Sequence, residues 1–216
     1  MLRPIRLNTF VKDLFVIQIG FLLYGLGLTL LIRADFGTST WLVLEIALAD
    51  LFGVSIGAMT IIMGFVVLGI ALFSRERIGW GTLGNILSIG PWLNLFLSLI
   101  SIDKENFVLR IVLFLAAIVI LGIATAVYIG VDAGAGPRDS LMLAIHRVTG
   151  VSVRVARGSL EVIVVTIGWL LGGPAGWGTL AFALLIGPSV QWAFKLFNVH
   201  PHKPENGIAP AAAVED

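Results

Sequence analysis

The pentapeptide GWGTL stands at residues 79–83 and returns at 176–180. GVS stands at 53–55 and 150–152, and GP at 90–91 and 187–188. All three pairs share one displacement of 97 residues, which also puts Asp35 on Asp132, Gly37 on Gly134 and Gly25 on Gly122. A single displacement shared by several motifs without a net gap points to duplication of one unit. The unit is too long for a solenoid repeat and suits a membrane protein of two repeats.

Each unit contains four apolar segments: 16–32, 40–52, 54–73 and 81–100 in the first, then 107–129, 137–149, 152–171 and 178–199 in the second. Charged residues make up 12% of the chain and the mean hydropathy is +1.01, where a soluble domain carries about 25% charge. The expected fold is therefore all-α, a polytopic membrane helix bundle of two internal repeats. A crossing takes about 20 residues. The second segment of each unit is too short, and in the later copy, PRDSLMLAIHRVT, too charged to cross alone. Each is read as a half-helix that enters the protein without crossing. That leaves about six crossings plus two short half-helices. Three crossings per unit is an odd number, so the second unit runs inverted to the first.

Basic residues support that count. With the N-terminus inside, six crossings put 11 of the 14 Lys and Arg on the cytoplasmic side and leave Arg33, Lys104 and Arg110 outside, the distribution favoured for membrane proteins. The apolar run after the basic start is too long for a signal-peptide core and lacks a cleavage-like end. The expected organisation is a cytoplasmic N-terminus over 1–14, repeat one over 15–102, repeat two over 103–199 and a disordered cytoplasmic tail over 200–216. The expected location is the bacterial cytoplasmic (inner) membrane, multi-pass, with both termini cytoplasmic. The chain has no cysteine, which excludes disulfides, thiol catalysis and zinc–thiolate sites. Two tail histidines, His200 and His202, are weak grounds for a metal, and none is expected.

The candidate site residues fall in four groups. Gly37, Ser39, Gly134, Gly136 and Pro137 form the turns that open the two half-helices. A helix start inside a membrane protein presents free N–H groups and partial positive charge, which broken transporter helices use to hold anionic groups. Packing of close helices is the alternative role for these glycines. Arg154, Arg157 and Glu161 lie on one helical face by their spacing of three and four, and Arg138, Asp139 and Glu45 are further charges in the half-helices. At the repeat displacement Arg154, Arg157 and Glu161 fall on Gly57, Thr60 and Gly64, so one unit holds charge where the other has room. A buried charge network in the groove between the units is expected, with Arg157 paired to Glu161 and with Arg138 and Asp139 near enough to join. Gly90, Pro91, Gly187 and Pro188 are candidate hinges, because an interior proline removes a helical hydrogen bond. Asp35 and Asp132 are read as turn caps or as cation ligands at two mouths.

No nucleophile elbow, H-E-x-x-H or phosphate loop occurs, so neither an enzyme nor a cofactor is expected. Two functions remain: a small-solute transporter or permease with its site between inverted repeats, and a non-transporting membrane accessory or scaffold protein whose buried charges are structural. A polar cavity reaching Glu161 discriminates for the first, and a dry, fully paired cluster for the second. The expected partners are the lipid bilayer, a small solute that the residues do not name and, as an option, further copies of the chain. Nucleic acid is not among them, since there is no basic stripe.

The combined pattern GxGPRDxLM, GVSxRxxRxxxE and GWLLGGxxGxGTLxxALLIGP, at 134–142, 150–161 and 168–188, resembles the YczE/YitT-type family of bacterial multi-pass integral membrane proteins. The likeness covers nearly the whole chain, from about Phe15 to Phe197. The first unit departs from the family's Pro-Trp-Asp-like run after its glycine turn. Here the run is Gly37-Thr-Ser-Thr-Trp41, and Leu42 stands where an acidic residue would act. The resemblance implies a multi-pass bacterial membrane protein, with transport and a part in secondary-metabolite production or export as suggested roles.

Overall fold

The structure is a computed structural model that describes residues 9–73, 79–102, 105–134 and 136–199. Most of the N-terminal segment, the tail 200–216 with His200 and His202, and Arg75, Arg77 and Lys104 lie outside the described residues. Eight helices and no strand occur among those described: α1 (Phe10–Ala34), α2 (Thr40–Phe52), α3 (Ile56–Phe73), α4 (Trp80–Leu99), α5 (Phe107–Gly130), α6 (Pro137–Thr149), α7 (Val153–Leu170) and α8 (Trp177–Leu196).

Local chemistry sets these ends. α1 begins six residues before the apolar run read from the sequence, because Thr9 and Asp13 are bonded at 2.6 Å and Asp13 offsets the positive end of the helix. The 13-residue half-helices α2 and α6 each rise roughly 20 Å against an apolar layer of about 30 Å. They stop at Gly53 and Gly150, both left-handed at φ 65 and 73, whose N–H groups return to Ala49 O and His146 O. α4 and α8 each run as one helix through Pro91 and Pro188.

Contacts give the directions. α1 and α5 run antiparallel, with Gly20 against Tyr128, Gly27 against Leu121, and Arg110 Nε donating to Ala34 O. Their small residues admit a close approach of the backbones. α4 runs parallel to α1, as Gln18 bonds Ser88 and Arg33 bonds the Leu97 carbonyl. α8 runs parallel to α5, as Gly122 meets Ser189 and Gly130 meets Val199. α3 runs antiparallel to α4, with Gly57 against Gly90 and Asn94, and Gly64 against Ile86. α1 therefore ends, and α3 begins, at the same end of the bundle, so α2 makes no net traverse. Arg33 and Arg110, read from the sequence as outer charges, satisfy C-terminal carbonyls of α4 and α1, where a cation suits the helix dipole.

The repeated pentapeptide has a structural reason. Phe36 O accepts from Gly178 N at 2.8 Å, and Ala133 O accepts from Gly81 N at 2.9 Å. These two bonds superpose at the 97-residue displacement, so each glycine turn docks on the GWGTL helix start of the other unit. A Cβ at Gly79 would stand 1.9 Å from Ala133 O, and one at Gly176 2.5 Å from Phe36 O, which restricts both sites to glycine. A core cluster of Leu44, Leu141, Val67 and Val164 around Trp41 likewise consists of residues paired at that displacement.

By length and composition, α1, α4, α5 and α8 can each cross a membrane, and α2 with α3, bent at 113°, makes a fifth candidate. That is fewer than the six crossings read from the sequence. The difference lies in α3, which qualifies only together with α2, and in α7, whose 18 residues include Arg154, Arg157 and Glu161.

Candidate solute site

The two half-helix starts meet at the centre of the bundle. Ser39, Thr40 and Trp41 of one, and Gly136 to Asp139 of the other, line a single cavity of about 530 Å³. The Arg138 guanidinium stands 5.0 Å above the Trp41 ring, and these two residues are equivalent at the repeat displacement. Both tyrosines of the chain, Tyr24 and Tyr128, line the same space, with ring centroids 6.3 Å apart.

The charges divide into two pairs. Glu45, 1% exposed, accepts from Arg138 Nη2 at 2.5 Å and from Thr60 Oγ1 at 2.7 Å. This pair ties α2, α3 and α6 together and leaves Arg138 at the cavity wall. Arg157 Nε donates to Glu161 Oε1 at 3.0 Å, with the side chains 45% and 31% exposed. Asp139 lies against the Gly136 backbone, within the field of both Arg138 and Arg157. The expected buried network is thus corrected in one respect: Arg157 and Glu161 are bonded but face an open cavity. Arg154 is exposed and lies outside the cavity lining; one turn of helix carries it past the opening.

Other predicted site residues separate similarly. Ser39, Gly134, Gly136, Pro137 and Gly187 line the cavity. Gly37 instead packs on Thr179 and Gly176 in the cross-docked turn. Gly90 packs on Gly57, and Pro91 and Pro188 are outside the lining. Asp35 and Asp132, the expected turn residues, are both left-handed at φ 57 and 55. Asp35 caps α1, and Asp132 reaches the cavity lining. Sequence reasoning missed Thr60, Tyr24 and Tyr128 as site residues. For the tyrosines a signal existed, namely phenols inside long apolar runs.

The cavity has a packing cause. In the first unit Gly57 and Gly64 let α3 lie directly on α4: a Cβ at Gly57 would stand 2.1 Å from Gly90 O. Asn94 fastens the crossing, accepting from Gly57 N at 2.9 Å and donating to Ser55 Oγ at 2.8 Å. In the second unit the equivalent α7 positions are Arg154 and Glu161, with Arg157 between them where α3 has Thr60. α7 does not pack closely on α8, and a Cβ at Gly187 would meet nothing within 4 Å. Bulky charged side chains cannot repeat a glycine crossing, so the second pair stays parted and the cavity opens there.

Among the described residues, one buried side-chain polar group at the cavity has no partner. Ser39 caps α2 but makes no side-chain cap bond, and its buried hydroxyl has no partner. An orphaned buried polar group costs about 1–3 kcal/mol.

Apolar helices long enough to cross a bilayer, joined to half-helices that start at one partly open cavity, define a polytopic helical membrane protein. The chain belongs to the family of unknown function DUF6198, which it matches over residues 11–195, and is of the YczE type. It is 34% identical to the uncharacterized membrane protein YczE of Bacillus subtilis, covering 78% of this chain and 79% of that one. It is 32% identical to an uncharacterized protein of Haemophilus influenzae over 89% and 88% of the two chains, and 27% identical to the uncharacterized protein YyaS of Bacillus subtilis over 78% and 86%. No solved structure matches.

Proposed function

We propose that the protein is a small-solute permease of the bacterial cytoplasmic membrane, with its site between two inverted repeats and both termini cytoplasmic. The observation that carries this reading is the partly open cavity that Arg138, Asp139, Arg157 and Glu161 line within otherwise largely apolar walls. Its volume of about 530 Å³ falls within the range of roughly 300–1,000 Å³ usual for small-molecule sites. Antiparallel α1 and α5, and the reciprocal docking of the glycine turns, support inversion of the halves. The accessory reading has one observation in its favour: the Glu45–Arg138 pair is buried at the glutamate and bridges three helices, as a structural lock would. The Arg157–Glu161 pair lies within α7 and is partly exposed. Thermal unfolding of the purified protein over a metabolite panel, followed by uptake of any stabilising solute into proteoliposomes, tests the proposal. Dose-dependent stabilisation and uptake are expected; a flat response across the panel would overturn the permease reading in favour of the accessory one.

A further inference from the structure

The two half-helix starts at the cavity are not equivalent. α6 carries its own anion: Asp139 is in its first turn and lies against Gly136. α2 has no acidic residue in its first turn, and the position equivalent to Asp139 is Leu42. Its cap, Ser39, is 6% exposed, with a hydroxyl that bonds nothing. Elsewhere serines do cap: Ser152 Oγ accepts from Val155 N and Ser55 Oγ from Ala58 N, each at 3.2 Å. The N–H groups of a helix's first turn have no intrahelical acceptor and carry the positive end of its dipole. The start of α2 is therefore prepared for an anionic group and holds none of its own.

The remaining charges select what that group is attached to. Arg138 is taken up by Glu45 and Arg157 by Glu161. Asp139, which Arg157 also faces, and Asp132 lie in the same lining, so carboxylates there outnumber guanidinium groups. A dianion meets no surplus of positive charge here, whereas a solute carrying its own cation is balanced. Leu28, Ile89, Ile129, Phe182 and Ile186 supply an apolar wall.

We infer that the cavity binds a zwitterionic solute of the apolar α-amino-acid class, with its carboxylate at the start of α2 on Ser39 and its ammonium toward Asp139. This rests on the permease reading of the same cavity. The test compares L-leucine with its two single-ended analogues, isoamylamine and isocaproate, by thermal shift and calorimetry on the full-length protein in detergent. Leucine stabilises the protein and each analogue binds at least tenfold more weakly. Ser39→Ala and Asp139→Asn each weaken leucine binding by roughly tenfold or more, the loss expected for a hydrogen bond to a charged group. Ser39→Thr, which keeps the hydroxyl, retains binding. Ser39→Ala does not lower the melting temperature without ligand and is expected to raise it, because that hydroxyl bonds nothing in the fold and its burial is a cost; a purely structural serine would lower it. If either analogue binds as well as leucine, the zwitterion assignment is wrong. If a sugar or a metal cation is the solute that stabilises and is transported, and Ser39→Ala leaves it unaffected, the inference falls and the permease reading stands. If nothing in the wider panel binds, both fall.

Discussion

Glu45 and Glu161 bring the same carboxylate into opposite surroundings. Glu45 is sealed between Arg138 and Thr60, so its removal strands a guanidinium at the edge of the core. Breaking such a pair costs about 3–5 kcal/mol, and partial exposure of Arg138, at 29%, places Glu45→Gln near the lower end. The double variant Glu45→Gln with Arg138→Gln is expected to lose less than the two singles combined, since neighbouring sites are not additive. Glu161 is half open to the cavity and bonded to Arg157 one turn away; an exposed pair at that spacing is worth about 0.3–0.5 kcal/mol. Thermal unfolding in detergent should therefore show a clear drop for Glu45→Gln and almost none for Glu161→Gln. Equal losses would mark Arg157–Glu161 as structural and favour the accessory reading.

At the scale of elements, the contrast lies between two helix pairs that carry matching motifs 97 residues apart and differ in closure. α3 lies on α4 through a reciprocal glycine contact, in which a Cβ at Gly90 would stand 2.2 Å from Gly57 O. Gly90→Ala forces backbone apart and is expected to destabilise by about 1–3 kcal/mol or more, as overpacking does. Gly187→Ala, at the equivalent place on α8, meets nothing and should shift stability by less than about 0.5 kcal/mol, as for substitutions away from packed features. The two melting temperatures check this directly, and a Gly187→Ala loss as large as that of Gly90→Ala would mean that α7 and α8 close in solution.

At the scale of the molecule, the halves are interlocked. α1 packs on α5, and each half's glycine turn sits on the other's GWGTL helix start. Expressed alone, residues 1–102 should fail to give a monodisperse peak on size exclusion, and coexpression with 103–216 should restore it; a stable lone half would contradict the interlock. Because α1 ends where α3 begins, and the same holds for α5 and α7 under inversion, Val54 and Val151 should lie on opposite faces of the membrane. Both are partly exposed, at 39% and 38%, so single cysteines there can be labelled from each side of cells. Labelling of both from one side would refute inversion.

What the sequence determined by itself is what depends on neighbours a few residues away or on comparison of the chain with itself. The motif matches at 97 residues, the two short helices, their glycine stops at Gly53 and Gly150, and the Arg157–Glu161 pair were all readable, because helical period, caps and i,i+4 spacing are local. The exchange of glycine for charge on α7 was readable too, as volume at matched positions. Its consequence was not, since a parted α7 and α8 follow only once α3 and α4 are seen to close through Gly57 and Gly90. Glu45 and Arg138 are 93 residues apart, and nothing in the spacing joins them. Tyr24 and Tyr128 share a wall only because α1 and α5 pack antiparallel. Tertiary structure alone decided which helix ends meet and where space is left, because a cavity is made by segments distant in the chain that cannot pack, and local pattern carries no record of a contact that fails to form.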